Sequence, residues 1–327
     1  MPELPEVETV RRQLEPEVVG RRINRVEILD DRLTRPVEPR QVARRLTGRT
    51  IESAGRRGKY LLIGLEGDLM LALHLRMTGN LLLRHAKASG EIDLMERDRL
   101  GGPRLYESHP ELRHLRARLE LDDGSELLFT DLRRFGQAVL LEGREQADAY
   151  LAARLGMEPL SAELTPEALC RLAAGRTAPL KSFLLTQSGI AGIGNIYADE
   201  ALHRAALHPL SPAGSMKPEH CEALVGGITD ALEAGLTLGG ASIDDYRDAR
   251  GEKGAMQDEF LVHTREGKPC PRCASAREGA RDVSGVPAIA RIVVGGRSTY
   301  FCPGCQVRLR RRPRRQRKAR PAAARSR

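Results

Sequence analysis

The chain has 327 residues, 41% of them hydrophobic and 30% charged. It is long enough for two domains with separate cores. It has no apolar run of the roughly 18 residues that would span a membrane and no apolar stretch of a signal peptide near its charged start, so an intracellular, cytoplasmic protein is expected. The net charge of +9 points to an anionic partner, but eleven of the 53 Lys and Arg lie in the acid-free segment 306–327, and the remaining 42 bases face 44 acids. Nucleic-acid contacts by the body of the chain must therefore rest on placed residues rather than on bulk charge.

The chain opens Met1-Pro2-Glu3-Leu4-Pro5-Glu6. Initiator methionine is normally trimmed before a small residue, which would leave Pro2 as a terminal secondary amine. An α-amino group titrates at about 7.7 to 8.0, so part of it is neutral and nucleophilic near pH 7, without the large shift a lysine needs. Val7, Val10 and Leu14 recur at helical spacing behind Pro5, which sits where a helix tolerates proline. The helix N-terminus disfavours an ammonium at Pro2, whereas Glu3 and Glu6 favour it and could move protons for imine chemistry. A proline-capped helix with acids at its favourable end is the plainer reading of the same residues.

After this helix, the spans Ile51 to Leu65, Leu69 to Leu83, Leu115 to Leu121 and Leu127 to Leu141 read as strands broken by Asp/Gly turns. The polar insert between Arg84 and Arg113 reads as a surface excursion. Three stretches stand out in this β-region. Arg56-Arg57-Gly58-Lys59-Tyr60 brings three cations to a strand entrance, His74 to Gly79 runs from mid-strand into a turn, and Arg133-Arg134-Phe135-Gly136 sets an aromatic between a dibasic pair and a glycine. Phe135, with Met77 and Arg133 beside it, could be a wedge for a base stack. Singly, Met77 and Phe135 also fit a core, and Lys59 a solvated charge.

From about Thr165 the periodicity is helical, with helices predicted over 166–174, 179–187, 196–207 and 217–235 and a Gly/Asp/Arg-rich loop over 239–259. Gln187 to Glu200 reads QSGIAGIGNIYADE. Its glycines follow a helix and run GxxGxG, so a dinucleotide loop fits poorly. Helix, tight turn and helix fit better, with Asn195 as N-cap of a helix starting at Ile196. Free N–H groups there, and the Asn195 amide, could face a phosphate or could simply cap.

Cys170 and Cys221 stand alone in helical patterns and read as buried apolar fillers. Cys270-Pro-Arg-Cys273 and Cys302-Pro-Gly-Cys305 are paired knuckles with the spacing of a tetrahedral thiolate site, so one structural zinc ion is expected. Two matched pairs outside a βαβ context fit a dithiol-exchange site poorly. Ile289 to Val294, Gly295-Gly296 and Arg297 to Phe301 read as a hairpin based on these ligands and presenting Arg297 at its tip.

Together, PELPEVE at 2–8, RRGKYLL at 56–62, HLRMTG at 74–79, DLRRFG at 131–136, QSGIAGIGNIYADE at 187–200 and GRSTYFCPGCQ at 296–306 strongly resemble the formamidopyrimidine-DNA glycosylase and endonuclease VIII family, over residues 2–306. The opening favours the formamidopyrimidine branch. The resemblance implies an α+β multidomain fold. Its parts would be an N-terminal β-sandwich with an N-terminal helix (1–155), a helix–two-turns–helix DNA-binding domain with a lesion loop (156–260), a zinc β-hairpin (261–306) and a basic tail (307–327). The implied substrate is damaged double-stranded DNA bound by a monomer, with no membrane or protein partner. The implied activity is a bifunctional glycosylase and abasic-site lyase that removes oxidised purines, 8-oxoguanine and formamidopyrimidines, through a Schiff base at Pro2 followed by β,δ-elimination in base-excision repair. Such enzymes take the damaged nucleotide out of the stack before cutting its glycosidic bond.

By position, the resemblance implies Pro2, Glu3 and Lys59 as catalytic residues with Glu6 in support. His74, Asn195 and Arg297, with Lys59, match positions that bind phosphate. Met77, Arg133 and Phe135 match those that fill the space left by the extruded base, and Cys270, Cys273, Cys302 and Cys305 are the zinc ligands. Lys181 is a weaker match in the same domain. The chain departs from the family pattern in three places. The gap of 28 residues between the knuckles is longer than usual, Leu132 replaces a usual proline, and Gly254-Ala255-Met256 lacks an aromatic often seen in the segment that covers the flipped base. Oxidised-pyrimidine specificity, as in the endonuclease VIII branch, and a zinc-dependent damaged-DNA binder without cutting activity are the alternatives. Arg-rich residues 308–320 read as a polyanion-binding segment, and removal of residues 307–327 is expected to weaken DNA affinity, flatten its salt dependence and spare single-turnover excision.

Overall fold

The computed structural model describes residues 1–85, 114–243, 245–276 and 285–310. The insert at 86–113, Asp244, the extra residues at 277–284 between the knuckles and the tail at 311–327 lie outside the described residues.

The first helix, α1 (Leu4–Val18), has Pro5 in its first turn and a fully buried stripe of Val7, Val10 and Leu14. That stripe packs on two four-stranded antiparallel sheets. One has the order β1 (Ile23–Ile28), β6 (Leu115–Leu121), β7 (Glu126–Asp131), β5 (Gly79–Arg84). The other runs β2 (Ile51–Arg57), β3 (Tyr60–Leu65), β4 (Leu69–His74), β8 (Gln137–Glu142). Ile63, Leu71 and Leu73 of one sheet meet Leu81, Leu127 and Phe129 of the other in a shared core, which makes this half a β-sandwich. Two short helices were not foreseen. In α2 (Pro39–Leu46) only Val42 and Leu46 are buried, too few apolar positions to show a period. The other, α3 (Gly143–Ala152), covers the outer face of the second sheet through Ala147 and Leu151.

Strand register explains why distant motifs share one end of the sandwich. Tyr60 pairs with His74, His74 with Gln137, and Gly79 with Asp131. Lys59, the turn carrying Met77 and the turn 132–136 therefore come to the same edge.

The second half is helical: α4 (Pro166–Ala173), α5 (Leu180–Leu184), α6 (Asn195–Arg204) and α7 (Pro218–Thr237). Thr165 caps α4 through its hydroxyl, with Pro166 next in chain, as the sequence predicts. Leu4 belongs to this helical core although Val7 belongs to the sandwich, so the chain start is the joint between the halves. Cys170 and Cys221 are not separate apolar fillers. A disulfide joins them, linking α4 to α7 with a Cα–Cα distance of 5.9 Å, because the packing of those helices brings together residues 51 apart in sequence. Beyond α7, Ala249 N–H donates to Gln13 and Leu83 N–H to the Ala249 carbonyl, while Asn80 bonds to both Asp245 and Arg247. The last element is a hairpin of β9 (Ala290–Val294) and β10 (Arg297–Phe301), preceded by α8 (Pro271–Ser275). Among the described residues, no helix is long and apolar enough to cross a membrane.

Candidate active site and nucleic-acid interface

Pro2, Glu3 and Glu6 are all buried where the two halves meet. The Glu3 carboxylate sits on the N-terminus of α6, accepting the N–H of Ile196 at 2.9 Å and of Tyr197 at 3.4 Å. Those two donors hold the carboxylate at the start of the helix. The helix cap differs from the one the sequence predicts. Gly194, not Asn195, is the cap residue, and Asn195 is the first helical residue. The free N–H groups expected to meet a phosphate meet Glu3 instead, because Gly194 lets that carboxylate in. A Cβ at Gly194 would lie 2.2 Å from Glu3 Cδ, and one at Gly192 would lie 2.6 Å from Leu4 Cδ1. Gln187 fixes this turn by donating to the Ile193 carbonyl at 2.9 Å and accepting the Gly192 N–H at 3.0 Å. The glycine-rich segment is therefore a socket for the chain start.

Glu6 lies behind Glu3. Its carboxylate accepts the Glu3 N–H at 2.8 Å, the Ala241 N–H at 2.7 Å and the Tyr197 hydroxyl at 2.8 Å. Burial, with the neighbouring Glu3 charge, raises its pKa above the ordinary carboxylate value against these donors. Tyr246 donates its hydroxyl to the Glu6 backbone carbonyl at 3.2 Å. The segment expected to cover an extruded base is thus tied down in this state around Tyr246, and Met256 further along is fully buried.

Cations ring this end of the molecule. Lys59 is buried, and that burial lowers its pKa, as does Arg297, while Glu3 and Glu6 oppose the shift. The turn before Lys59 is held from the other half by Glu158, which accepts the Gly58 N–H at 3.0 Å and pairs with Arg56 and Arg57. His74 accepts the Arg76 N–H on Nδ1 at 3.0 Å, which puts its own proton on Nε2. Burial depresses its pKa to about 3, so the ring is neutral. Asn195 donates its amide to the Ser298 carbonyl at 3.0 Å, bringing α6 against the hairpin beside exposed Arg297. Lys181, the weaker match, lies beneath this surface. It is fully buried, donating to the Asn195 carbonyl at 2.7 Å and to Asp199 at 2.6 Å, and so serves as an internal strut.

Met77 and Phe135 are 40% and 50% exposed, so neither is a core residue. The Arg133 guanidinium lies 4.8 Å from the Phe135 ring centre. Leu132 in place of proline leaves this turn firmly held. Asp131 accepts the N–H of Gly136 at 2.7 Å and of Arg133 at 3.1 Å, and Arg134, at φ 59°, forks onto Asp30 at 2.6 and 2.7 Å. Sequence reasoning assigned no role to Asp30, Asp131, Glu158, Tyr197, Glu200 or Tyr246. Asp131, Tyr197 and Glu200 stood inside the quoted motifs as polar residues among apolar ones, whereas Asp30 and Glu158 carried no local signal. Glu200 accepts the N–H groups of Leu261, Val262 and His263 and so fastens the entry to the hairpin.

The sulfurs of Cys270, Cys273, Cys302 and Cys305 lie within 4.8 Å of one another, with Cys270–Cys305 at 3.9 Å and Cys273–Cys302 at 3.7 Å. Four thiolates about 2.3 Å from a tetrahedral ion stand about 3.8 Å apart, so the group can hold a metal ion. Its surroundings suit negative sulfur: the Gly304 N–H points to Cys302 at 3.4 Å, and His203 Nε2 lies 3.3 Å from Cys270.

An antiparallel sandwich, a helical domain whose loop receives the chain start, and a cysteine hairpin beside the same cationic rim define a class of two-lobed nucleic-acid enzymes. Comparison with known proteins gives the family. Residues 1–138 match the model of the formamidopyrimidine-DNA glycosylase N-terminal domain, and residues 155–247 match that of the formamidopyrimidine-DNA glycosylase H2TH domain. The formamidopyrimidine-DNA glycosylase of Chloroflexus aurantiacus is 43% identical over 309 residues, 94% of this chain and 99% of that one, and that of a Roseiflexus species is 42% identical over 94% and 100%. A crystal structure of Lactococcus lactis Fpg with DNA containing an abasic site superposes with a TM-score of 0.77 at 32% identity, covering 93% of this chain and 99% of that one. The chain belongs to the formamidopyrimidine-DNA glycosylase family.

Proposed function

We propose that the protein is a DNA glycosylase and abasic-site lyase of base-excision repair, acting on oxidised purines in duplex DNA. The observation that carries this reading is the seating of Glu3. A carboxylate beside the chain's leading imino acid is fixed by a helix N-terminus at the mouth of a cationic rim. On this reading, trimmed Pro2 attacks C1′ of the extruded nucleotide and the glycosidic bond breaks, with the departing base taking up a proton. Glu3 assists sugar-ring opening, leaving C1′ doubly bonded to the proline nitrogen. A secondary amine makes this a cationic iminium with no separate protonation, which acidifies C2′. Loss of a C2′ proton expels the 3′ phosphate, and the δ step expels the 5′ phosphate.

Lys59, His74, Asn195 and Arg297 hold the kinked backbone. Met77, Arg133 and Phe135 enter the vacated stack, Arg133 bonding to the orphaned base, and Glu6 keeps Glu3 in place. Cys270, Cys273, Cys302 and Cys305 hold a structural zinc ion, which ties down the base of the Arg297 hairpin. The catalytic sandwich spans 1–155, the DNA-binding helical domain 156–260, the hairpin 261–306 and the basic tail 307–327. The protein acts in the cytoplasm on the chromosome, as a monomer.

Borohydride trapping on abasic-site DNA, with protein verified by mass to start at Pro2, tests the chemistry. A covalent adduct lost in Pro2→Gly with a blocked terminus is the expected result. Absence of an adduct from correctly trimmed protein would leave a damage binder. Faster excision of 8-oxoguanine opposite cytosine than of thymine glycol supports the purine reading, and the reverse order would place the protein with the oxidised-pyrimidine enzymes.

A further inference from the structure

Cys170 and Cys221 belong neither to the metal-holding group nor to the rim around Glu3. Cys221 is fully buried in the helical core, whereas Cys170, at the edge of the same core, is only partly covered. Their Cα atoms, 5.9 Å apart, are at a separation disulfides ordinarily bridge, so the linked and unlinked states need no different helix packing. We propose that this pair is a reversible thiol–disulfide exchange site whose reaction partner is a low-molecular-weight disulfide and whose point of entry is Cys170.

The order of events follows from access. Exchange requires a thiolate and a disulfide sulfur to approach each other in line, and only Cys170 offers that approach from solvent. The Cys170 thiolate attacks one sulfur of the small disulfide, forming a mixed disulfide at Cys170 and releasing one thiol. The Cys221 thiolate then attacks the Cys170 sulfur and releases the second. Two protein thiols are oxidised, one disulfide is reduced to two thiols, and the two protons pass to the departing sulfurs. Reduction runs the sequence backwards, again from Cys170. A cytosolic thiol pool holds the pair open, and a rise in small-molecule disulfide closes it.

The cross-link has a defined structural reach. The loop it closes contains the whole of Gln187–Glu200, the segment that receives Leu4 and Glu3 and starts α6. Closing that loop restricts the unfolded chain, so the oxidised domain resists unfolding more than the reduced one. The four hairpin cysteines are a separate population: their sulfurs face one another rather than this pair, in a group that can hold a metal ion.

The test uses the full-length, metal-loaded protein equilibrated in mixtures of reduced and oxidised glutathione, quenched by alkylation under denaturing conditions and mapped by mass spectrometry without reduction. A Cys170–Cys221 linked peptide should appear as the oxidised fraction rises and vanish on return to reduced glutathione, with no metal released. The oxidised form should melt about 5 °C higher, a gain absent from Cys170→Ser. Cys221→Ser should accumulate one glutathione on Cys170, while Cys170→Ser leaves Cys221 unmodified. No linked peptide at any ratio, or glutathione on Cys221 of Cys170→Ser as fast as on Cys170 of Cys221→Ser, overturns the proposal.

Discussion

The Glu3 carboxyl carbon lies where a Cβ on Gly194 would come within 2.2 Å, so α6 can receive this carboxylate only because residue 194 lacks a side chain. Gly194 has a negative φ of −126°, and alanine is therefore allowed by the backbone; the three nearest atoms its Cβ would meet are all of the Glu3 carboxylate. Gly194→Ala should displace the carboxylate from the Ile196 and Tyr197 N–H groups. Single-turnover excision is expected to fall at least about 100-fold, the order lost when a fixed catalytic group is misplaced. Overpacking should cost about 1–3 kcal/mol of stability, leaving the fold intact by circular dichroism. Excision within a few-fold of wild type would show that the seating of Glu3 is not required.

Asp131 is the fixing point of the turn that carries Arg133 and Phe135, accepting from Thr78, Arg133 and Gly136 while itself buried. Asp131→Ala removes the acceptor of three donors: the Thr78 hydroxyl, the buried Gly136 N–H and the Arg133 N–H, of which the last keeps the Thr78 hydroxyl oxygen at 3.0 Å. A loss of about 3 kcal/mol is expected from urea unfolding. Affinity for lesion DNA should drop more than affinity for undamaged duplex, because the turn would enter the stack only at an extruded base. Equal weakening of both would separate this turn from lesion recognition.

Much of this arrangement was legible in the sequence because short-range patterns dictate it. The apolar stripe of α1, the alternating strands, the Thr165-Pro166 start and the paired knuckles each act through neighbours a few residues apart. What escaped depends on contacts across the chain. Asn195 looked like the helix cap because asparagine favours that position, yet Glu3, 193 residues before Ile196, supplies the acceptor and glycine takes the cap. Cys170 and Cys221 looked independent because nothing local reveals that two helices will bring them together. Asp30 and Glu158 sit in loops with no pattern, and their partners, Arg134 and Gly58, are 104 and 100 residues away.

His74 gives the pH dependence a definite sign. Its folded pKa, about 3, lies below the ordinary 6.5, so between these values the unfolded chain binds a proton that the folded protein does not. Stability from this residue is complete above pH 6.5 and is lost as pH falls. From pH 6.5 to 5.0 the loss amounts to about 2 kcal/mol at most. Urea unfolding at pH 7.5 and 5.0 should show wild type losing that much more than His74→Gln, whose side chain does not titrate. Equal losses would show that the ring accepts a proton in place without penalty.

His203 links the four-cysteine group to α6, the helix whose other end holds Glu3. Its Nε2 lies 3.3 Å from Cys270 Sγ, and its Nδ1 is buried with no hydrogen-bond partner. A neutral ring satisfies both observations when the proton is on Nε2: the N–H is directed to the thiolate, and the bare Nδ1 lone pair is a smaller loss than a bare N–H. A thiolate that accepts such a bond carries less charge into the four-sulfur site and gives up its ion more slowly. His203→Phe keeps a planar ring without the donor, and zinc release to a chelating dye should speed up about 10-fold or more. His203→Gln, which retains an N–H, should fall between the two proteins. Wild-type release from the phenylalanine variant would reduce His203 to a packing residue, with α6 meeting the metal site through shape alone.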